Sequence, residues 1–274
     1  MAQPQHWSVE GPKTIDVTGV RKLSLRLVAG EADVVASTST VESGGTARVE
    51  VHKVEGPPLT VALDADGTLN VVHDRLTWGG LLQWLSGPTR ARVHVSVSVP
   101  QDTEVELGVV SADATVTGVS GRTSVKSVSG EVTLDGCAGE VKAETVSGGL
   151  EARSLDGRLQ FKSISGELTV VDGSTTSLTA HTVSGEVVID LTSSTGDVDL
   201  KTVSGDLTLR LPSDVSLALD AKTVSGHLTA TGFDQVSHDR APGSKKMTGE
   251  AGGGRSKLWA KTVSGDVTVL RREA

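Results

Sequence analysis

Three glutamates recur at regular intervals in the second half of the chain, and paired carboxylates are the groups that sugar-cleaving enzymes use. Glu131, Glu167 and Glu186 each directly follow a glycine. In a glycosidase one carboxyl group protonates the leaving group while a second acts as nucleophile or base. Here the carboxylate returns with the repeat, which favours a surface row over a single site, and aromatic side chains for stacking on a sugar are scarce. The sequence therefore predicts a protein that is not an enzyme.

Other residues capable of chemistry also lack partners at the required spacing. The seven histidines are scattered, and the single cysteine, Cys137, can form neither an internal disulfide nor a thiolate cluster. Residues 252–257 (GGGRSK) only superficially resemble a phosphate cradle, and we interpret them as a flexible loop. Residues 64–67 (DADG) lack the later ligands of a calcium loop and are typical of a hairpin turn. We therefore expect no catalytic, metal or cofactor site.

Pairs of hydroxyl residues with the pattern Thr-x-Ser suggest a different kind of surface. They recur at 145/147, 182/184 and 202/204, and flat hydroxyl arrays of this kind can bind ice. The serine of each pair, however, stands next to a glycine, and lysine interrupts the face. An ice-binding face is therefore not favoured.

Composition points to an all-β protein with a core of small aliphatic side chains. The 274 residues include 32 glycines and only four Trp, two Phe and no Tyr. Frequent Val, Leu and Thr with frequent Gly is typical of short strands joined by tight turns. The net charge of −8 does not indicate nucleic-acid binding. Because neither a secretory signal nor a transmembrane segment is evident, we expect a cytoplasmic protein and do not favour a peripheral membrane contact.

A nine-residue period organises the second half of the chain. Its glycines are Gly121, Gly130, Gly139, Gly148, Gly157 and Gly166. Positions two, four and seven after each glycine are usually apolar, which predicts a half-buried strand, a bend and a further inward residue. By this rule Val146 and Ile164 point inward, and Cys137 is a buried filler.

Pairs of nines form a longer repeat built on the phrase Thr-Val-Ser-Gly. The corner glycines of this phrase and its close relatives are Gly130, Gly148, Gly166, Gly185, Gly205, Gly226 and Gly265. They are 18 to 21 residues apart, except for a last gap of 39 that contains a polar, Gly-rich insertion at about 233–257. A period near 20 predicts a parallel β-solenoid in which each rung packs only on its neighbours. Glycine is expected at the corners because it tolerates positive φ.

Charged residues recur on both sides of the corner glycines. The cations, four residues before the glycine, are Lys126, Lys162, His181, Lys201, Lys222 and Lys261. The acids, one residue after it, are Glu131, Glu167, Glu186, Asp206 and Asp266. Rows of opposite sign that face each other across the corner would relieve repulsion between like charges one rung apart. The rows are either a charged docking stripe or a solvated edge, and we favour the edge.

The first hundred residues are β-rich but lack the nine-residue period. We predict an N-terminal section, residues 1–104, that begins the solenoid and covers its first rung with antiparallel strands; residues 105–274 form the repeats. Within this N-terminal section, residues 76–87 form an apolar segment that either caps the fold, which we favour, or contacts a partner. Its candidate contact residues are Leu76, Trp78, Leu81, Leu82, Trp84 and Leu85.

The repeated T-V-S-G-[DE]-[VL]-T phrases of residues 105–270 resemble the bacterial "putative adhesin" family of β-strand repeats, also called toastrack. The strand at 90–100 and the residues after it, Val109 and 111–113, resemble the start of that family's repeats. The resemblance implies a right-handed parallel β-solenoid and an association with cell-envelope stress systems, and it brings no catalytic residues. Bactofilins, which form polymers, are a more distant architectural comparison.

These observations lead to two hypotheses about function. The favoured one is a non-enzymatic cytoplasmic scaffold or adaptor that binds a protein partner in an envelope-stress pathway. The alternative is a self-assembling structural element, bactofilin-like or adhesin-like, that stacks end to end. The terminal pair Arg271 and Arg272 favours the first, because charges at the end of a stack discourage open-ended growth.

Overall fold

The computed structural model describes residues 4–37, 45–73, 91–194, 196–241 and 243–273. Within these ranges every regular element is a β-strand, which confirms the all-β prediction. The chain divides into two compact units, Met1–Thr133 (unit 1) and Leu134–Ala274 (unit 2), and each is described separately. The predicted boundary at residue 104 stays a prediction.

The described part of unit 1 contains strands of five to 16 residues. In chain order they are β1 (Gln5–Val9), β2 (Lys13–Val17), β3 (Lys22–Ser37), β4 (Ala47–Glu55), β5 (Leu59–Leu63), β6 (Thr68–His73), β7 (Arg92–Pro100), β8 (Glu104–Thr117) and β9 (Thr123–Ser129). β3 pairs in parallel with β8 on one side and with β6 and β7 on the other. β4 and β2 continue from β7 as antiparallel strands, as β5 and β1 do from β6. The predicted antiparallel section is therefore confirmed.

The turn at residues 64–67 is the predicted hairpin. It joins the antiparallel strands β5 and β6, and the Gly67 amide donates to the Asp64 carbonyl oxygen at 3.0 Å. The Thr68 amide donates to Asp66 Oδ1, also at 3.0 Å. Asp64 Oδ2 accepts a hydrogen bond from the Asn70 side-chain amide at 2.8 Å. Both carboxylates are therefore engaged in holding the turn.

Unit 2 carries the repeats, and β10 (Val132–Asp135) runs into it from unit 1. The following strands are β11 (Ala138–Thr145), β12 (Leu150–Arg153), β13 (Asp156–Ser163), β14 (Leu168–Thr182), β15 (Val187–Ser194), β16 (Val198–Lys201), β17 (Leu207–Leu211), β18 (Leu217–Thr223), β19 (Leu228–Thr231), β20 (Gln235–Ala241), β21 (Ser244–Ala251), β22 (Ser256–Lys261) and β23 (Val267–Arg271).

Strands one repeat apart pair in parallel, so that like residues stack. β11 pairs with β13, β13 with the second half of β14, and that half with β16. Through these three pairings Val141, Leu159, Leu178 and Val198 form one column of buried side chains. We call each stacked repeat a rung. Alternate residues face inward, so the core consists of columns of Val, Leu, Ile and Ala, with the ring of Phe161 packed among them.

Stacking order departs from chain order at the end of unit 2. The last strands of the chain, β22 and β23, lie between two earlier rungs: β22 pairs with β16 and β18, and β23 with β17 and β19. The segment between β19 and β22 makes this possible. It forms a hairpin, β20–β21, whose second strand pairs antiparallel with β18 and returns the chain.

Residues 252–255 connect β21 to β22 as a loop, as interpreted from the sequence, whereas Ser256 and Lys257 already belong to β22. The rest of the insertion predicted at about 233–257 consists mostly of β20 and β21. Met247 and Ala251 of β21 are fully buried against the end of the stack. Of the charged residues there, Lys245 donates to the Gly226 carbonyl oxygen at 2.6 Å and Lys246 lies 3.3 Å from Asp220. The burial of an apolar side on β21 explains why a polar, glycine-rich sequence is ordered here.

Candidate functional site

The most distinctive surface of unit 2 is a column of exposed aliphatic side chains. It contains one residue per rung, the valine or isoleucine of each Thr-Val-Ser-Gly phrase. In stacking order these are Val146, Ile164, Val183, Val203, Val263 and Val224. Each exposes 43–54% of its surface. We call this column the aliphatic ladder.

The prediction that Val146 and Ile164 point inward is wrong, because the strand's alternation continues through this corner. The residue before each ladder residue is the one that turns inward: Thr145, Ser163 and their equivalents are buried. Thr145 Oγ1 donates to Ser163 Oγ at 2.9 Å, and Ser163 Oγ accepts the Gly166 amide at 2.7 Å. These two hydroxyls bond each other between neighbouring rungs, and the residue that follows each of them faces solvent. Because these threonines are buried, they cannot contribute to an ice-binding face.

At the other corner the prediction is confirmed for Cys137 and Leu155. They occupy the same position seven after a glycine, and each is only 1% exposed. A residue in the left-handed region precedes each of them, Gly136 at φ 59° and Ser154 at φ 50°. That residue shifts the alternation by one position and directs the following side chain into the core.

The ladder is continuous because the corner backbones are hydrogen-bonded from rung to rung. The Ser165 amide donates to the Val146 carbonyl oxygen and the Ser184 amide to that of Ile164, both at 2.8 Å. Farther along, parallel bridges join Ser184 to Ser204, Ser204 to Ser264, and Ser264 to Ser225. The step is therefore one strand spacing, about 4.8 Å, and the six residues extend over roughly 24 Å.

The predicted corner glycines do stack, although positive φ is not their common requirement. Gly166 and Gly185 are not in the left-handed region. A Cβ atom on Gly185 would lie 2.2 Å from the Gly166 carbonyl oxygen, and one on Gly166 would lie 2.2 Å from that of Gly148. The stack continues through the corners of Gly205, Gly265 and Gly226 in the same way. Close approach of the neighbouring backbone thus excludes any side chain here.

Rows of opposite charge flank the aliphatic ladder. Two residues before the ladder residue stand Lys162, His181, Lys201, Lys261 and Lys222, in stacking order. Three residues after it stand Glu167, Glu186, Asp206 and Asp266, and the last rung has His227. We call these the cation row and the acid row. Lys126 and Glu131, the other members predicted from the sequence, lie in unit 1.

The predicted pairing of the two rows across the corner is not found at Lys201 and Lys222. Lys201 Nζ lies 2.6 Å from Asp199 and Lys222 Nζ 3.5 Å from Asp220, each two residues earlier on the same strand. In the acid row, Asp206 Oδ1 accepts the backbone amide of Asp266 at 2.8 Å. The two rows are thus held separately.

The acid row ends in a bond that keeps its last carboxylate charged. Asp266 Oδ1 accepts the backbone amide of His227 at 2.7 Å, and this hydrogen bond lowers the pKa of Asp266. Because Asp206 and Asp266 each accept a backbone amide of the next rung, these two acids stabilise the corner, and both side chains are exposed. The row therefore presents negative charge along one side of the ladder.

The terminal arginines do not end the stack, contrary to expectation. Arg272 Nη2 lies 2.7 Å from Asp190 Oδ1, and Arg210 pairs with the other oxygen of the same carboxylate. The hydrogen bond from Arg210 is the main cause of the lowered pKa of Asp190. Arg271 donates to the carbonyl oxygens of Ser213 and Gly232 on either side of its rung. Both arginines therefore fasten the inserted last rung in place.

The other predicted features give no chemical centre. In the described part of the chain no three His, Cys, Asp or Glu side chains are placed to hold a metal, and no helix could span a membrane. His73 at the end of β6 is buried, which lowers its pKa. The predicted contact segment 76–87 lies outside the described residues.

Sequence reasoning missed the ladder although a signal was available. The nine-residue rule treated both corners as equivalent, whereas only one of them has Thr or Ser directly before the apolar residue and Ser-Gly after it. A small hydroxyl residue at an even spacing from the inward apolar residues of a strand lies on the same face as they do. It, and not the apolar residue next to it, is therefore expected to face the core.

Comparison with known proteins places this architecture. No curated protein matches the chain. A crystal structure of a "putative adhesin" from Bacteroides fragilis is similar with a TM-score of 0.51 at 12% identity, covering 96% of this chain and 98% of that one. A "putative adhesin" and a "putative lipid binding protein" from Parabacteroides distasonis have TM-scores of 0.45 and 0.43 at 11% and 10% identity. These cover 99% and 96% of this chain, and 98% and 97% of the respective neighbours.

The family assignment follows from the sequence model as well as from the repeat. The model of Toastrack DUF4097 matches residues 22–270, which extend from the start of β3 into β23. This confirms the resemblance seen in the repeated phrases. The chain belongs to the Toastrack DUF4097 family.

Proposed function

We propose that this protein is a non-enzymatic β-solenoid scaffold that binds a protein partner through the aliphatic ladder. In this proposal each rung is one turn of 18–21 residues in a right-handed solenoid, as the family resemblance implies. The protein acts in the cytoplasm, in a bacterial envelope-stress pathway. The neighbour from Bacteroides fragilis bears the name of an adhesin, a binding protein rather than an enzyme, which agrees with this class of function.

The observation that carries the proposal is the exposure of six aliphatic side chains in one unbroken column. Single exposed valines are common on protein surfaces, whereas a contiguous apolar patch rimmed by charge is typical of an interaction site. The backbone beneath the ladder is fixed by interstrand hydrogen bonds at every rung, so little conformational entropy is lost when a partner binds.

The second candidate, an end-to-end polymer, has less support. Open-ended growth of the stack requires an accessible strand at its end. In unit 2 the outer side of β18 is covered by the antiparallel strand β21. A lateral contact through the ladder leaves this cap undisturbed.

Capture of partners by variants of the ladder tests the proposal. The variant is Val183→Lys with Val203→Lys, and the matched control is Thr169→Lys with Thr208→Lys, partly exposed positions on neighbouring strands. We expect wild type and control to retain the same proteins from bacterial lysate and the ladder variant to lose them at least tenfold. Equal retention by all three proteins would contradict the proposal.

A further inference from the structure

We propose that the partner on the aliphatic ladder is a second copy of this chain, related by a two-fold axis parallel to the direction in which the rungs stack. The inference rests on the proposed function and names the partner of that same surface. In this arrangement the two stacks run side by side in the same direction. Each ladder residue lies opposite its own equivalent in the other copy, so that Val203 faces Val203.

The spacing of the ladder residues favours a second copy of this chain as the partner. Ladder residues recur at one strand spacing, about 4.8 Å. An extended peptide along the ladder repeats its side chains every ~6.7 Å, and an α-helix completes a turn every ~5.4 Å, so both lose register with the ladder within a few steps. Another stack of parallel strands has the same repeat. A second copy is therefore the partner that can contact all six rungs in register.

The flanking charges select the orientation of the second copy. Four consecutive rungs have the order cation, aliphatic, acid across the corner: 162/164/167, 181/183/186, 201/203/206 and 261/263/266. A two-fold axis parallel to the stack places the cation row of each copy opposite the acid row of the other. A two-fold axis across the stack would instead bring cations against cations and acids against acids. Over these four rungs, only the parallel arrangement is electrostatically complementary.

The size of the surface fits a dimer that dissociates on dilution. Six half-exposed aliphatic side chains amount to roughly 300 Å² of apolar surface per copy, the size of a functional patch on a monomer. With the flanking rows, such a contact lies near the lower end of specific interfaces, about 1,200 Å² in total. The rows are partly exposed and their pairs are screened by salt, so association weakens as ionic strength rises.

Cysteines placed on the ladder test both the contact and its direction. Cys137 is buried and 1% exposed, so single variants present one reactive thiol each. The variants are Ile164→Cys, Val203→Cys and Val263→Cys, with Asp156→Cys as the control, an exposed residue at the start of β13. Each purified full-length protein is treated with a short bis-maleimide at low salt and analysed for covalent dimer.

The parallel arrangement predicts that each ladder variant cross-links to itself at least fivefold more than the control. An antiparallel pair would join Ile164→Cys to Val263→Cys only when the two proteins are mixed, and that result would overturn the proposal. So would cross-linking at the control level for all three ladder variants. If all three ladder variants cross-link only at the control level while the Val183→Lys, Val203→Lys variant still loses its captured proteins, the scaffold function stands and its partner is a different protein. If neither effect occurs, both proposals fail.

Discussion

Two corners in unit 2, at Leu155 and at Ile164, have the same spacing in the sequence and opposite effects on the side chain they carry. At one corner Leu155 follows Ser154, which has a left-handed φ of 50°, and is 1% exposed. At the other, Ile164 follows the buried Ser163 without any shift in alternation and is 54% exposed. One corner therefore completes the core, whereas the other presents the aliphatic ladder to solvent.

The difference shows how a repeat protein can build a surface without disturbing its core. The exposed corner replaces one inward aliphatic residue by a hydroxyl residue, which can bond the corner backbone, as Ser163 does to Gly166. The apolar residue next to it is then free of any role in the core. Its retention in every rung of unit 2 requires another reason, which the proposed interface supplies.

The largest effect is expected at the exposed corner's glycine. Gly185→Ala places a methyl group 2.2 Å from the Gly166 carbonyl oxygen, and backbone on both sides prevents relief. We expect a loss of unfolding free energy of about 4 kcal/mol or more, measured by urea denaturation. Gly11→Ala is the control, because a Cβ atom there meets nothing within 4 Å. If the two variants were equally stable, stacking would not explain the corner glycines.

Truncation of the apolar residue compares the two corners directly. Leu155→Ala removes a buried side chain and is expected to cost about 2–5 kcal/mol. Ile164→Ala removes a side chain of the same size from an exposed position and is expected to change stability by under about 0.5 kcal/mol. Urea denaturation of the purified monomer measures both. Similar losses at the two positions would show that Ile164 belongs to the core.

The buried Thr and Ser residues that directly precede the ladder residues offer a smaller change in stability, of opposite sign. Thr182 Oγ1 is buried without a hydrogen-bond partner. Thr182→Val replaces this hydroxyl by a methyl group of similar shape and is expected to raise the unfolding free energy by about 1 kcal/mol. Thr145→Val is the matched variant, since it removes the hydrogen bond that Thr145 donates to Ser163 Oγ, which then keeps only the bond from the Gly166 amide. We expect Thr145→Val to destabilise, and a result with the signs reversed would contradict this account of the corner.

The smallest effect is the pH dependence of the acid row. The pKa of Asp266 is lowered by the backbone hydrogen bond from His227, so its stabilising contribution is present above the unfolded pKa, near 4, and is lost as the pH falls below it. We expect the Tm to fall slightly more for wild type than for Asp266→Asn between pH 5 and pH 3. Identical slopes for the two proteins would show that this bond does not contribute.

Much of the fold follows from the sequence because the repeat encodes it locally. The sequence located the hairpin at residues 64–67 and the strand at 90–100, which is β7, and the spacing of the glycines located the corners. The insertion of β22 between β16 and β18 does not follow, because all three rungs contain near-identical phrases and pairing among them is decided by the whole stack. Which side chain faces the core at a bend was likewise ambiguous, because one residue in the left-handed region reverses the alternation of inward and outward side chains.

The candidate site was predicted only in part. The charged rows were found as a pattern, but the apolar column between them was assigned to the core. The partners of Lys201 and Lys222 were also wrong, because acids two residues earlier on the same strand compete with those across the corner. The distance from each lysine to the nearest carboxylate decides its partner, and that distance is known only from the three-dimensional structure.

Light scattering of the purified chain over a concentration series tests whether the exposed corner is an interface. Dimerisation through the ladder predicts a mass that rises from about 28 kDa towards twice that value at low salt, and a Val183→Lys, Val203→Lys variant that stays monomeric at every concentration. A mass of 28 kDa throughout for wild type would contradict dimerisation through the ladder, as would a dimer that the two lysines leave intact.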